Sequence, residues 1–434
     1  MNNFFEFTKQ ISVLKKTGQF NEALHFFKEH KYNFPKEQIG NDKWLISNII
    51  TCIRKTKNSK FINNFLQEFN ILIDEQTDEV VLNAYSWNLY DNIKNNIYNI
   101  YNIYQLLQIV QHPIYLLSSK NSDFSYSIIS NIFRLGIKLA KEHQNQDFEF
   151  TNNFCNLFDK SILTLACYSF EVRGKNTEQA SDKEKWYSEK SKALFELNMF
   201  QECFEISHEA LENIDNFHNN NDLWFARRIA LSKKQLGNIN EAISDLEKIY
   251  TKKREWFIQK EIADLYFENN DIESAFKNAI QAINTKGKIE FKIGLIFLIG
   301  KILKQKNKLE IAYKHFLVIK KIREKNEWKI PDELAVELNS IDMNIDVAIK
   351  TLINELKSYW QTFIPQKEFL QGTIKKILHD NEKGKNGFLT SNQKDYYFTI
   401  PIHINLVTTH PIISINFPPL KHSLKKQKHH QQYF

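Results

Sequence analysis

A chain of 434 residues that is 42% hydrophobic and carries 34 phenylalanines can bury two or three domain cores, or the core of one long repeat array, which excludes a disordered chain. Only 11 glycines and 8 prolines favour long helices over turn-dense β structure. The formal net charge is +7, yet residues 366–434 hold ten lysines, no arginine and four acids, leaving the first 365 residues nearly neutral at +1.

The first predicted elements lie in KKTGQFNEALHFF, where Leu14, Gly18, Phe20, Ala23 and Phe27 read as a helix, a tight turn and a second amphipathic helix. The same figure returns around Asn198-Met199, Gly237-Asn238, Asn270-Asp271 and Asn307-Lys308. Each turn is followed by an apolar residue (Phe200, Ile239, Ile272, Leu309) and, three further on, by a small one (Cys203, Ala242, Ala275, Ala312). Separations of 39, 33 and 37 between those small residues mark stacked helix pairs. Ala230, Ala263 and Gly300 supply the matching small positions on the first helices, so the two helices of a pair can approach closely.

Between 32 and 173 the repeat blurs, and apolar spacing predicts helices over 43–54, 60–73, 79–90, 92–111 and 125–143. The Ile- and Tyr-rich run at 97–107 suits core packing, or a partner surface. Residues 174–185, with no apolar side chain larger than Ala, read as a loop or hinge. Pro331-Asp332-Glu333 starts a further helix, and Ile345, Ile349, Leu352, Ile353, Leu356, Tyr359 and Trp360 line one face of a long capping helix that Pro365 ends.

The recurring Gly or Asn turn, small residue and aromatic positions resemble the tetratricopeptide repeat family, most clearly over 186–322, although most repeats lack that family's Trp and Pro. The resemblance implies an α-solenoid that binds protein partners along a concave face. In that register Lys192, Arg227, Lys234, Lys260, Lys301 and Lys304 fall on the concave side, interrupted by Glu196 and Asp264. They are candidates for a partner groove, although lysine is common throughout the chain and an ordinary charged helix face is the simpler reading.

After Phe369 the period drops to two, and strands are expected in FLQGTIKKIL, KNGFLTS, KDYYFTIPI and IISINF, with QQYF as a possible fifth. Gly372-Thr373-Ile374-Lys375-Lys376-Ile377, then Lys385-Asn386-Gly387-Phe388-Leu389, then Asp395-Tyr396-Tyr397-Phe398-Thr399 resemble the first three strands of the cold-shock family. That implies a small five-stranded OB barrel at the C-terminus of a mainly α chain, with exposed aromatics stacking on unpaired bases and lysines on phosphates. Carried over, the candidate nucleic-acid-binding residues are Lys375, Lys376, Lys385, Phe388 and Tyr397, to which the basic tail adds Lys425 and Lys426. Lys376 stands at the family's Trp, Asn386 at its first aromatic of the second strand, and Thr399 at its His.

The expected organisation is a helical hairpin over 1–35, degenerate helical repeats over 36–180, the tetratricopeptide-like array over 181–323, capping helices over 324–365, and a cold-shock-like module with a basic tail over 366–434. No phosphate-binding glycine loop, HExxH or GxSxG is present, so the expectation is a protein that is not an enzyme, with no catalytic residues and no cofactor. Cys52, Cys155, Cys167 and Cys203 show no metal-ligand spacing and predict neither disulfides nor a metal site. The start MNNFFEFTKQ does not read as a secretory signal, and the longest apolar run, 293–300, is too short to span a bilayer, so a cytoplasmic chain with no membrane partner is expected. The resulting function is an adaptor joining protein partners to single-stranded RNA or DNA; the alternative is a pure protein scaffold, or regulatory subunit of a defence or RNA-processing complex, in which the barrel docks on protein.

Overall fold

The structure, a computed structural model, describes residues 3–416 apart from 59, 96–102, 121, 143–145, 173, 365–368, 382–383, 392–393 and 401–411. Among the described residues it is mainly α, with nineteen helices and six strands. By compactness the chain divides into two units, 1–278 and 279–434.

Five helix pairs are closed by one and the same turn. They are α1 (Phe4–Lys16) with α2 (Phe20–His30), α10 (Asp182–Glu196) with α11 (Phe200–Asn213), α12 (Asn221–Gln235) with α13 (Ile239–Lys252), α14 (Trp256–Glu268) with α15 (Ile272–Ile283), and α16 (Ile293–Gln305) with α17 (Leu309–Lys325). At the turn, Gly18, Asn198, Gly237, Asn270 and Asn307 take the left-handed conformation, φ between 56° and 92°. The amide of that residue bonds the carbonyl three back, as Asn307 N to Lys304 O at 3.0 Å, and the next amide bonds the carbonyl five back, as Lys308 N to Leu303 O at 2.9 Å. Gly and Asn recur there because they enter that conformation at the least steric cost, and the two bonds satisfy carbonyls that the helix end would leave open.

The small residues behave as their spacing requires. Ala23, Cys203, Ala242, Ala275 and Ala312 are all fully buried, as are Ala230 and Ala263. At Gly300 a Cβ would lie 2.5 Å from the Phe316 ring of α17, so only hydrogen allows that approach. Within the first unit α9 (Phe148–Asn156) packs on α10, and α10 through α14 pack each on the next.

The part of the first unit where the repeat blurs is nevertheless helical and Phe-rich. Its helices are α3 (Lys36–Asn41), α4 (Lys43–Lys55), α5 (Lys60–Glu68), α6 (Glu79–Asn95), α7 (Tyr104–Lys120) and α8 (Asp123–Glu142). One core gathers Phe7, Phe27, Phe65 and Phe69 with Ile and Leu of α4, and a second gathers Phe133, Phe150, Phe154 and Phe158. Aromatic volume stands here in place of repeat regularity. From the Ile- and Tyr-rich run, Ile103 and Leu106 are buried in the second core, while 97–102 lie outside the described residues.

Two sequence expectations are corrected. Residues 174–185 are not a loop: β1 (Tyr168–Val172) and β2 (Lys175–Gln179) pair as an antiparallel hairpin, and Ser181 caps α10 through its hydroxyl. The strand escaped notice because backbone pairing, a left-handed Gly174 turn and the Arg134 guanidinium 4.2 Å above the Tyr168 ring hold it without large apolar side chains of its own. The helix expected at Pro331 is α18 (Asp332–Asn339), and the long capping helix that follows it is α19 (Ile349–Gln361), which starts later than expected and leaves Ile345 in the connection. Leu352, Leu356 and Trp360 of α19 still bury their face, against α17.

At the end of the second unit β3 (Phe369–Asn381), β4 (Gly384–Ser391), β5 (Lys394–Ile400) and β6 (Ile412–Asn416) form one antiparallel sheet in the order β5-β4-β3-β6. The long β3 serves two partners: residues 369–373 pair with β6 and 373–381 with β4, and its register with β4 shifts twice, between Ile374 and Lys376 and between Ile377 and His379. Four of the expected strands are thus present, as one open sheet in which β5 and β6 are the edges and no closed barrel is formed among the described residues; the fifth, expected at 431–434, lies outside them.

Candidate functional site

The β3-β4-β5 register sets out the candidate surface. Lys376 stands opposite Phe388, and Phe388 opposite Tyr397, so a cation and two aromatics form a row on one face. The rings of Phe388 and Tyr397 meet edge to face with centroids 5.6 Å apart, and they are 36% and 46% exposed. For aromatic side chains this exposure is the unusual feature, since burial is what such rings gain most from. The neighbouring row is His379, Asn386 and Thr399, where the Asn386 amide oxygen is buried with no hydrogen-bond partner among the described residues.

Gly387 makes the row possible. A Cβ there would sit 2.1 Å from the Lys376 carbonyl oxygen, so the bulged β3 can lie against β4 only because position 387 has no side chain. At one edge Lys375 Nζ lies 2.5 Å from Asp395 Oδ2, and Thr390 donates its hydroxyl to Asp395 Oδ1 at 2.7 Å. The lysine bond, with the threonine's help, holds the Asp395 carboxyl below its usual range. Lys375 is therefore spoken for, whereas Lys376 has no carboxylate in ion-pair range among the described residues. The side chain of Lys385, and Lys425 and Lys426 entirely, lie outside what the structure describes.

The helical candidates are placed differently from a bare basic groove. In the first unit Arg227 grips Glu261 through Nε at 2.9 Å and through a second guanidinium nitrogen, and Lys234 reaches Glu268 at 2.8 Å. Both pairs join residues 34 apart, one repeat to the next. Lys260 pairs with Asp264 at 2.6 Å, and Lys192 donates to Gln146 at 2.8 Å. In the second unit Lys301 lies 3.4 Å from Glu333 and Lys304 2.7 Å from Glu337. Five of the six cations are thus neutralised by a carboxylate: four of the pairs tie one helix to another, and Lys260–Asp264 lies within α14. Sequence register found the positions, and Asp264 beside Lys260, but not the acids on other helices that answer Arg227, Lys234, Lys301 and Lys304.

Sequence reasoning passed over Arg228, whose guanidinium donates to Ser191 Oγ at 3.2 Å with no carboxylate in ion-pair range among the described residues. Burial lowers its pKa to about 10. It also passed over a cleft of about 530 Å³ between α4 and α6, lined by Trp44, Ser47, Thr51, Arg54 and Trp87. There the Arg54 guanidinium lies 5.7 Å from the Trp87 ring centroid and Trp44 is well exposed. The signal was legible in part: Trp44, Ser47, Thr51 and Arg54 recur at three- and four-residue steps, a non-aliphatic stripe on an otherwise buried helix.

A family profile described as "Domain of unknown function (DUF7017)" matches residues 223–352, which hold most of α12 and all of α13 through α18. No curated protein matches the chain. Among solved structures, BtubC from P. vanneervenii is similar at 11% identity and TM-score 0.31, over 62% of this chain and 95% of that one. The human IFIT1 dimer with PPP-AAAA is similar at 15% identity and TM-score 0.30, over 81% and 88%. A monomeric IFIT1 mutant with m7Gppp-AAAA gives 13% identity and TM-score 0.33, over 80% and 72%. At these scores the repeat architecture rests on the hairpins themselves: a shared turn, a shared small-residue contact and ion pairs one repeat apart.

Proposed function

We propose that the protein is a non-catalytic adaptor whose tetratricopeptide-like helical repeats bind protein and whose C-terminal module, a divergent cold-shock-like OB barrel, binds single-stranded RNA or DNA. The observation that carries this reading is the exposed row of Lys376, Phe388 and Tyr397 across three strands, in the segment that holds most of the chain's excess positive charge. An exposed ring accepts the face of any base, and each stacked base contributes about 1–3 kcal/mol. The lysine beside it offers a phosphate contact. The barrel reading takes its support from four antiparallel strands in which the long β3, with two register shifts against β4, pairs with β6 over 369–373 and with β4 over 373–381.

The test is fluorescence anisotropy of the full chain with labelled single-stranded RNA and DNA of mixed sequence at low salt. Phe388→Ala and Tyr397→Ala are each expected to weaken binding by about 5- to 150-fold, the equivalent of one lost stack. Lys376→Ala is expected to lower the slope of log affinity against log salt by about 1. Absence of binding at low salt, with the variants folded, removes the nucleic-acid reading and leaves the sheet as a protein-docking module.

A further inference from the structure

Outside the profile-matched segment, the first unit brings together three side chains that are far apart in sequence. Cys167 immediately precedes β1, Glu178 lies in β2, and His218 sits in the connection that leads into α12. Their donor atoms all lie within 4.8 Å of one another. No spacing rule could have found them, because the hairpin and the α11–α12 connection meet only in the fold.

The imidazole is oriented from behind. His218 Nδ1 lies 2.8 Å from Glu184 Oε2, and because a carboxylate only accepts, Nδ1 carries the hydrogen. Glu184, whose side chain is 1% exposed, also accepts the His218 amide at 2.8 Å and the Asn221 amide nitrogen at 2.7 Å. Three donors to one buried carboxylate lock the ring. The other ring nitrogen, Nε2, then faces the cluster, 3.4 Å from Glu178 Oε2. This is the carboxylate–imidazole arrangement that fixes tautomer and direction in metal sites.

Electrostatics at the cluster favours a cation. Burial, and the charges of Glu178 and Glu184, push the Cys167 thiol above its ordinary pKa, while the same two carboxylates raise that of His218. Glu178 and the buried Glu184 thus set two carboxylates beside the thiol and the imidazole, a negative surrounding that a dication would offset. Thiolate, imidazole and carboxylate together suit a borderline ion such as zinc rather than the harder magnesium or calcium. Bonds of about 2.0–2.3 Å need the donors closer than they stand, and Glu178, 56% exposed, is free to close the gap.

We propose that Cys167 Sγ, His218 Nε2 and the Glu178 carboxylate bind one Zn²⁺ with the fourth position open, and that the ion fastens the β1–β2 hairpin to the start of α12. On binding, the thiol releases its proton to solvent and Nε2 gives its lone pair to the metal.

The test uses the full chain, stripped with a chelator and titrated with Zn²⁺ by calorimetry and with Co²⁺ by absorption. One high-affinity equivalent is expected, with the near-ultraviolet charge-transfer band of a cobalt–thiolate bond. C167S is expected to abolish the band and weaken zinc at least 100-fold, and E184Q, acting through the imidazole, to weaken it about 10- to 100-fold. A cobalt complex without a thiolate band, as the tail histidines alone would give, overturns the proposal. So does undiminished zinc affinity in folded C167S. If C167S does not fold, E178Q decides from the surface: at least tenfold weaker zinc supports the site, and unchanged affinity overturns it.

Discussion

His315 shows how one residue can tie stability to pH. Its Nδ1 hydrogen goes to the Ile311 carbonyl at 2.6 Å, and Nε2 accepts from the indole nitrogen of Trp360 at 2.8 Å, which permits only the neutral ring. Full burial lowers its pKa to about 4. Because the folded value lies below the unfolded one, the unfolded chain takes up the proton first as pH falls. The contribution is therefore complete above about pH 6.5 and lost between there and pH 4, amounting to about 3 kcal/mol. Denaturant unfolding of the helical part of the second unit across that range is expected to show this loss, and His315→Gln to flatten it. Near neutrality the variant should also be less stable, since the indole loses a fitted acceptor. A second buried group, Lys292, donates to the Ala282, Ile283 and Thr285 carbonyls at the end of α15, satisfying acceptors the helix leaves open.

At the scale of elements, each hairpin was legible because a turn, a small residue and an apolar residue must recur together for two helices to pack. The left-handed Asn198, Asn270 and Asn307 stand where the sequence places turns, and Gly300 stands where Phe316 leaves no room for a methyl. The β1–β2 hairpin was not legible, because what holds it is backbone pairing and an arginine from α8. The same limit hid Glu261 and Glu268 behind Arg227 and Lys234: charge counting along one helix cannot see the acid on the next. In the sheet, Gly387→Ala is expected to break the β3–β4 contact, since the added methyl would meet the Lys376 carbonyl. The measurable outcome is loss of amide protection in β3 and β4 together with loss of nucleic-acid binding, while helical circular dichroism is retained. Overpacking of this kind costs about 1–3 kcal/mol, enough to disturb a small sheet.

At the scale of the whole molecule, charge is distributed unevenly: the last 69 residues carry +6 of a net +7. A chain ending at residue 365 is expected to keep its helical signal and lose salt-dependent binding to single-stranded nucleic acid, and a truncated chain that binds as tightly as the full one would place that binding on the helices. No helix among the described residues is long and apolar enough to cross a membrane.

The sequence by itself determined the mainly α class, the hairpins with their turns, the change to strands near residue 369 and the aromatic pair Phe388 and Tyr397, because each depends on residues close in the chain. Only the tertiary structure decided which cations are neutralised, that Lys376 stands in line with the two aromatics, and that Cys167, Glu178 and His218 meet. Those arrangements depend on distances between side chains that are remote in sequence, which are set when helices and strands pack and which no periodicity records.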